Sequence, residues 1–493
     1  MKLTFTPTPE RASSESRTAN GNARLVWGLI NPKKGSSPAK QDHEIALVAL
    51  SEEKDTEVLR LPSGAKVINI GAGKKKEMTR RKFILLLRKV VATAKANKIA
   101  RMEIPFGAFL KFSKNPANAT DVAELMACQF TLADFEFDKY KTEGAEERAK
   151  AKLAEVIISG NLSPKVKKAF ERGTKIGEEI NACRMLANTP AGEMTPRMLA
   201  SDAEQAAKNL PIRVTVLGVK EIKKLGMGGI LGVSQGSSEE PRFIVMEYMK
   251  GRKSERPVVL VGKGVTFDSG GLNVKPGDYM NEMHMDMSGG AAVIRTIALA
   301  ARLNLKKNIV GLVPAVENMP SGSSYRPGDI LKTMSGKTIE IGNTDAEGRV
   351  ILADALTYAE RYQPRLVVDV ATLTGAAVAA LGQRASALFT KNEKLSRLFE
   401  RLGEESGEYV WPLPLWDEYE EDIKGTFGDW NNSGKTRWGG AITGAMFLYQ
   451  FAKKYPWVHI DIAPRMTSID GDYLAKGAAG APMGLLVRLL EKF

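Results

Sequence analysis

Seven polar residues in two stretches of this 493-residue chain have types and spacing that could do chemistry together. Lys263 follows the carboxyl end of the apolar run Pro257-Val-Val-Leu-Val-Gly262. Asp268 sits in the turn-rich Thr266-Phe-Asp-Ser-Gly-Gly271, Lys275 and Asp286 come next, and Ser288-Gly-Gly-Ala291 opens a helix. The second stretch, Glu340-Ile-Gly-Asn-Thr-Asp345-Ala-Glu347-Gly-Arg349, leaves an extended run and opens another helix. In open α/β sheets, ligand sites lie beyond the carboxyl ends of strands and beside helix N-termini, so the two stretches point to one crevice. Taken singly the residues are ordinary: Asp and Asn at helix starts are commonly caps, and lone lysines are commonly solvated. Taken together, Asp268, Asp286, Asp345 and Glu347 would repel one another unless neutralised. Two divalent cations would balance them, and hard oxygen donors suit Mn, Mg or Zn. Spacing alone does not establish that the four carboxylates meet.

Other chemistries find less support. Gly232-Val-Ser-Gln-Gly236 matches the G-x-S-x-G nucleophile elbow, but Ser237-Ser-Glu-Glu-Pro241 follows and leads into a strand where the elbow requires a helix. A Gly/Ser turn is the simpler reading. Gly71-Ala-Gly73 follows a strand but lacks the remaining glycine of a dinucleotide fingerprint, and no phosphate-binding P-loop occurs. Two cysteines (Cys128, Cys183) cannot build a disulfide framework or a cysteine-based zinc site, a three-histidine zinc site would consume all of His43, His284 and His459, and no H-E-x-x-H is present.

The elements that must position these residues follow from the apolar pattern. Strands are expected at Val67–Ile70, Ile99–Phe106, Arg213–Leu217, Phe243–Met246, Val258–Gly262, Ile309–Pro314 and Leu366–Val370. Helices are expected at Ala291–Leu303, Arg349–Tyr362, Ala441–Lys454 and Leu485–Phe493. Such alternation predicts an α/β fold whose mostly parallel sheet is covered on both faces. A polar, helix-compatible connector is expected over Glu143–Ala182, with Pro164 interrupting it. The division is placed at 165: a smaller N-terminal α/β domain (1–165) and a larger catalytic domain (166–493). A hydrophobic content of 43% excludes a disordered chain, and no apolar run approaches the roughly 20 residues of a membrane span. Met1–Glu10 lacks an apolar leader segment, and cysteine usage suits a reducing compartment, so a cytoplasmic protein is expected. Of the net charge of +14, residues 1–180 hold +11, densest over Lys74–Arg101, where Phe83, Leu86, Leu87, Val90, Val91 and Ala94 recur at helical spacing. A solvated helix face is the plainer reading of that stretch, and phosphate binding, hence DNA, is the competing one.

Around these lysines and acids the sequence closely resembles the leucyl aminopeptidase (cytosol aminopeptidase) family of two-metal exopeptidases. Its signature stands complete at Asn343-Thr-Asp-Ala-Glu-Gly-Arg349, and Val261-Gly-Lys-Gly-Val-Thr-Phe-Asp-Ser-Gly-Gly271 is a second, near-perfect segment. Ala371–Ala376, Glu317-Asn-Met and Arg326-Pro-Gly-Asp329 extend the match. The resemblance implies a peptide-cleaving hydrolase assembled as a homo-hexamer with inward-facing sites. By motif, Lys263 and Asp286 would bind one metal, Asp345 the other, and Asp268 and Glu347 both. Lys275 would polarise the scissile carbonyl. Arg349 would hold a bicarbonate acting as general base on a metal-bridging water. The two cations would be Mn or Zn, with Mg and Co also compatible. The substrate pocket maps onto Met283, Thr372, Gly375, Ala463 and Met466, a wall suited to Leu- or Met-like side chains. Some bacterial relatives also bind DNA, so the basic N-terminal third and the peptidase reading can coexist. Departures occur at His284 (usually lysine), at Asn188-Thr-Pro-Ala-Gly192, and at Pro464 in Asp461-Ile-Ala-Pro464 (usually glycine). The last bears on the pocket rim.

Overall fold

The computed structural model describes residues 1–7, 45–60, 66–113, 118–146 and 152–493; His43 lies outside them. The described residues form two compact units, Met1–Gly177 with Asp470–Ala475, and Glu178–Ile469 with Lys476–Phe493. The expected junction near 165 falls at the start of the helix Pro164–Asn188, which passes from one unit to the other.

In the first unit the strands run in the order Lys2–Thr6, Glu155–Ser159, Arg101–Pro105, Ile45–Ser51, Lys66–Gly71, Glu57–Arg60. All neighbours are parallel except the last pair. The polar connector expected over Glu143–Ala182 contains one of these strands. Val156, Ile157 and Ile158 form a short run of β-branched residues, buried between two neighbours, that outweighs the Ala/Lys/Glu composition around it. Pro164 does not break the following helix but begins it, where its missing N–H has no intrahelical role. The helix Arg80–Ala96 buries Phe83, Ile84, Leu86, Leu87, Val90, Val91 and Ala94 as the apolar spacing predicts.

In the second unit the sheet order is Val410–Pro412, Ser386–Phe389, Trp457–Asp461, Leu366–Ala371, Val258–Gly262, Asn308–Asn318, Arg242–Met249, Arg213–Leu217, and Gly264–Asp268 pairs with the far end of Asn308–Asn318. The four central strands are parallel. They are linked by helices: Val258–Gly262 leads through Ser288–Arg302 to Asn308–Asn318, and then through Glu347–Ala359 to Leu366–Ala371. Alternate residues of a strand face opposite sides. Val259, Val261, Val310, Leu312 and Val367 share a core with Val350–Leu356 and Ala445–Leu448. Gly311 faces the other way, where a Cβ would lie 3.0 and 3.1 Å from Ile297 and Val293 of Ser288–Arg302. The sheet is therefore covered on both faces, as expected. Gly232–Gly236 spans the end of the helix Gly228–Ser234 rather than the expected turn, and Ser234 is buried, so no nucleophile elbow forms. No helix among the described residues is long and apolar enough to cross a membrane.

Candidate active site

Four central strands end at one edge in Asp461, Ala371, Gly262 and Asn318. The residue after Gly262 is Lys263, whose backbone N–H donates to Val370 O (3.0 Å). Small residues let the helix Ser288–Arg302 start against this edge. A Cβ on Gly289 would lie 2.2 Å from Val370 O, and one on Gly262 would lie 2.4 Å from Gly289 O. Likewise a Cβ on Gly348 would sit 2.5 Å from Lys263 Cε, so the glycine of the signature makes room for the lysine.

The structure brings Lys263, Asp268, Lys275, Asp286, Asp345 and Glu347 together. Lys263 Nζ lies 2.7 Å from both Asp286 Oδ2 and Glu347 Oε1, and donates to Thr372 O at 3.0 Å. Lys275 Nζ lies 2.8 Å from Asp268 Oδ2 and 2.5 Å from Asp345 Oδ1. Ligand atoms of Asp268, Asp286 and Glu347 fall within 4.8 Å of one another. Asp268 Oδ1 accepts from Gly270 N (2.9 Å) and Asn318 Nδ2 (2.8 Å), and Asp286 Oδ1 accepts from Thr372 Oγ1 (2.6 Å).

Burial, ahead of every other influence, raises the pKa of Asp268, Asp286 and Asp345. Neighbouring acids reinforce it, and the lysines oppose it. Burial would also push the Lys263 amine down, but Asp286, Glu347 and Asp268 together hold it above the ordinary lysine value; Lys275 behaves the same way through Asp268, Glu347 and Asp345. Two ammonium groups thus oppose four carboxylates, and the cluster remains deficient in positive charge. Asp286 Oδ2, Asp345 Oδ1 and Glu347 Oε1 are buried, meet a lysine as an ion pair, and accept no hydrogen bond of ordinary direction. Carboxylate oxygens so aimed fit divalent cations, which would supply the missing charge and coordination.

Arg349 is buried, donating from Nη1 to Asn432 O at 2.9 Å, while Nε has no hydrogen-bond partner. Burial lowers its pKa, against the attraction of Glu347, Asp461 and Asp345. Of the residues expected to receive the substrate, Thr372 and Gly375 follow the strand Leu366–Ala371, and Ala463 and Met466 follow Trp457–Asp461. Met283 opens the short turn leading to Asp286. Asp461 ties the first two segments together: Oδ1 accepts from Leu373 N (3.0 Å) and Ala463 N (3.1 Å), and Oδ2 from Thr374 Oγ1 (2.7 Å).

Sequence reasoning passed over the braces behind the site. Fully buried Asn318 joins Asp268 to Thr344 O, and Tyr325 OH donates to the same carbonyl at 2.7 Å. Asn318 stands inside the matched segment Glu317-Asn-Met and Tyr325 directly before Arg326-Pro-Gly-Asp329, and that placement was the available signal. His459 is buried beside Asp369 on the neighbouring strand (2.5 Å), away from the carboxylate cluster.

Residues 181–487 match the cytosol aminopeptidase family, catalytic domain, and residues 51–144 match the same family's N-terminal domain. The chain is 45% identical over 389 residues to a "Probable cytosol aminopeptidase" of Syntrophotalea carbinolica, covering 78% of each chain. It is 40% identical over 487 residues to one of Shewanella loihica, covering 95% of each. A solved structure, "Bottromycin maturation enzyme BotP in complex with Mn", superposes with a TM-score of 0.80 at 31% identity, over 91% of this chain and 98% of that one. With its catalytic and N-terminal portions both matched and its carboxylates gathered around two lysines, the chain belongs to the cytosol aminopeptidase family of metal-dependent peptide hydrolases.

Proposed function

We propose that this protein removes single N-terminal residues from peptides, with Leu- or Met-like residues preferred at the first position. The observation that supports it best is the convergence of Lys263, Asp268, Asp286, Asp345 and Glu347 beyond the carboxyl ends of the central strands. In this reading Lys263 and Asp286 would hold one cation, Asp345 would hold the other, and Asp268 and Glu347 would serve both. Mn is the first choice, since the similar BotP structure is described with Mn; Zn, Co and Mg suit the same donors. When bound, the cations would supply Lewis-acid polarisation and would make water nucleophilic at neutral pH.

The chain's own groups do the rest. Lys263 would have to give up its proton to act as a ligand, although its acidic neighbours favour the charged form. Lys275 has the opposite role: it stays charged beside the reacting carbonyl and stabilises the oxyanion that develops there. Arg349 would hold a bicarbonate as general base, and its Nε, without a hydrogen-bond partner among the described residues, is suited to an anion. Met283, Thr372, Gly375, Ala463 and Met466 receive the first side chain. The family arrangement also implies a homo-hexamer in the cytoplasm. The helix Arg80–Ala96 gives DNA binding no added support. Arg80 is paired with Asp121 (2.6 Å), Arg88 with Gln129 (2.6 Å), and Lys95 with Glu136 (2.6 Å).

Hydrolysis of Leu-, Met-, Asp- and N-acetyl-Leu-para-nitroanilide tests the reading. Leu and Met should be released fastest, Asp slowly, and the acetylated substrate not at all. Efficient release from N-acetyl-Leu would refute an exopeptidase that needs a free amino terminus.

A further inference from the structure

Asn432 is fully buried just past the short strand Trp430–Asn431, which pairs with Thr338–Glu340. Its carboxamide is spent entirely on one loop. Oδ1 accepts from Gly342 N (2.8 Å) and Asn343 N (3.1 Å), while Nδ2 donates to Asn343 O (2.7 Å) and Ala346 O (3.3 Å). A primary amide has two donor hydrogens and an acceptor oxygen with two lone pairs, so no capacity is left over. The same residue's carbonyl accepts from Arg349 Nη1 at 2.9 Å. The grip passes on to Asp345, because Asn343, held at both its N–H and its carbonyl, offers Oδ1 to Asp345 N (2.8 Å). The approach is close: a Cβ on Gly342 would lie 2.5 Å from both Asn431 Oδ1 and Ser433 Oγ.

We infer that Asn432 is a positioning residue that fixes Asp345 and Arg349 relative to each other, and so sets the affinity for the cation Asp345 serves more than that for the cation held by Lys263 and Asp286. The inference rests on the two-cation reading above. It differs from a simple staple between two loops in being selective. Asn432 touches the segment that bears Asp345, Glu347 and Arg349, and of these Glu347 would serve both cations; Lys263 and Asp286 are held by other partners, Thr372 O and Thr372 Oγ1. Partners behind metal ligands typically govern affinity by about 10- to 100-fold.

The test is calorimetric titration of chelator-stripped protein with Mn²⁺, comparing wild type, Asn432→Asp, Asn432→Ala and, to identify the step, Asp345→Ala. Asn432→Asp keeps the size and the two bonds accepted at Oδ1, but sets an oxygen against Asn343 O and Ala346 O. Asn432→Ala removes all four bonds without adding charge. The expected result is two binding steps in wild type. In both Asn432 variants the step that Asp345→Ala abolishes should weaken about 10- to 100-fold, and the other, reached only through Glu347, at least about fivefold less than that. Two wild-type-like steps in the variants would overturn the assignment of Asn432 and leave the two-cation reading standing. Equal weakening of both steps, or loss of the fold in both variants, would overturn it too, since Asn432 would then be a general staple. Wild type binding no Mn²⁺ would remove the two-cation reading and the inference with it.

Discussion

Two buried lysines stand in nearly matching surroundings, each between two carboxylates, and yet are assigned opposite chemistry. Lys263 is 3% exposed and lies between Asp286 and Glu347; Lys275 is 13% exposed and lies between Asp268 and Asp345. Substitution separates them. Lys263→Ala should weaken metal binding and make turnover depend on far higher metal concentrations. Lys275→Ala should keep its metal and lose about 10²–10³ in turnover, the cost of removing one preorganised oxyanion donor. Lys275→Arg should recover only part of that loss, because the guanidinium keeps the charge but not the shape. Metal analysis and turnover on the purified variants check this, and metal lost from Lys275→Ala but kept by Lys263→Ala would contradict the roles. At this scale the acids and lysines were legible because their types and loop positions already suggested charge compensation. Asn432, Asn318 and Asp461 were not. Their work is hydrogen bonding to backbone groups up to 90 residues away in sequence, which residue type and local spacing do not encode.

Among the elements, the helix Glu347–Ala359 does two jobs. Its first turn bears Glu347 and Arg349, and just past its middle Asp354 anchors it to neighbouring segments. Fully buried Asp354 accepts from Met334 N (2.8 Å) at Oδ1 and from Ile230 N (3.0 Å) at Oδ2. Burial pushes its pKa up to about 7, against the pull of the N–H groups of Met334, Ile230 and Gly229. A folded-state value above the unfolded one means that the native state binds the extra proton. Its contribution to stability is therefore full below about pH 4 and is lost as pH rises through about 7. Asparagine does not titrate. The stability gap between wild type and Asp354→Asn should shift against wild type by about 3 kcal/mol between pH 5 and pH 8, at roughly 1.4 kcal/mol per pKa unit. Denaturant unfolding at the two pH values measures it, and a gap independent of pH would contradict the assignment. The central strands and the helices between them were legible because buried parallel strands read as short, continuous apolar runs. The strand Glu155–Ser159 was not, because five residues inside a polar, helix-compatible stretch give composition little to reveal. The helix Ser288–Arg302 begins at Ser288, where Ser288-Gly-Gly-Ala291 is expected to open it, three residues ahead of the apolar pattern that starts at Ala291; its glycines are needed against the sheet edge although propensity alone disfavours them.

Over the whole molecule, charge and catalysis occupy different parts of the sequence. Lys74, Lys75 and Lys76 are exposed, and lie in the half of the chain that precedes every proposed site residue. Replacing all three by Gln should leave turnover of a small substrate unchanged within about twofold. If DNA is a partner, its affinity should fall and the salt dependence flatten, by about 0.9 in slope for each phosphate no longer neutralised. Gel shifts over a salt series and Leu-para-nitroanilide kinetics on the same variant check both statements, and a large loss of turnover in the folded variant would contradict the separation. The fold class was legible from the rhythm of apolar runs. The assembly of the site was not, since it needs four strand ends, two helix starts and a distant loop to meet at one edge. The central claim is that the carboxylates gathered at that edge exist to hold two catalytic cations. Its most direct test is to strip the protein with a chelator, titrate Mn²⁺ back, and follow bound metal and Leu-para-nitroanilide hydrolysis together. The account predicts no hydrolysis in the stripped protein and full recovery as occupancy reaches two ions per chain. Full activity in metal-free protein, or saturation of activity with no ion bound at Asp268, Asp286, Asp345 and Glu347, would contradict it.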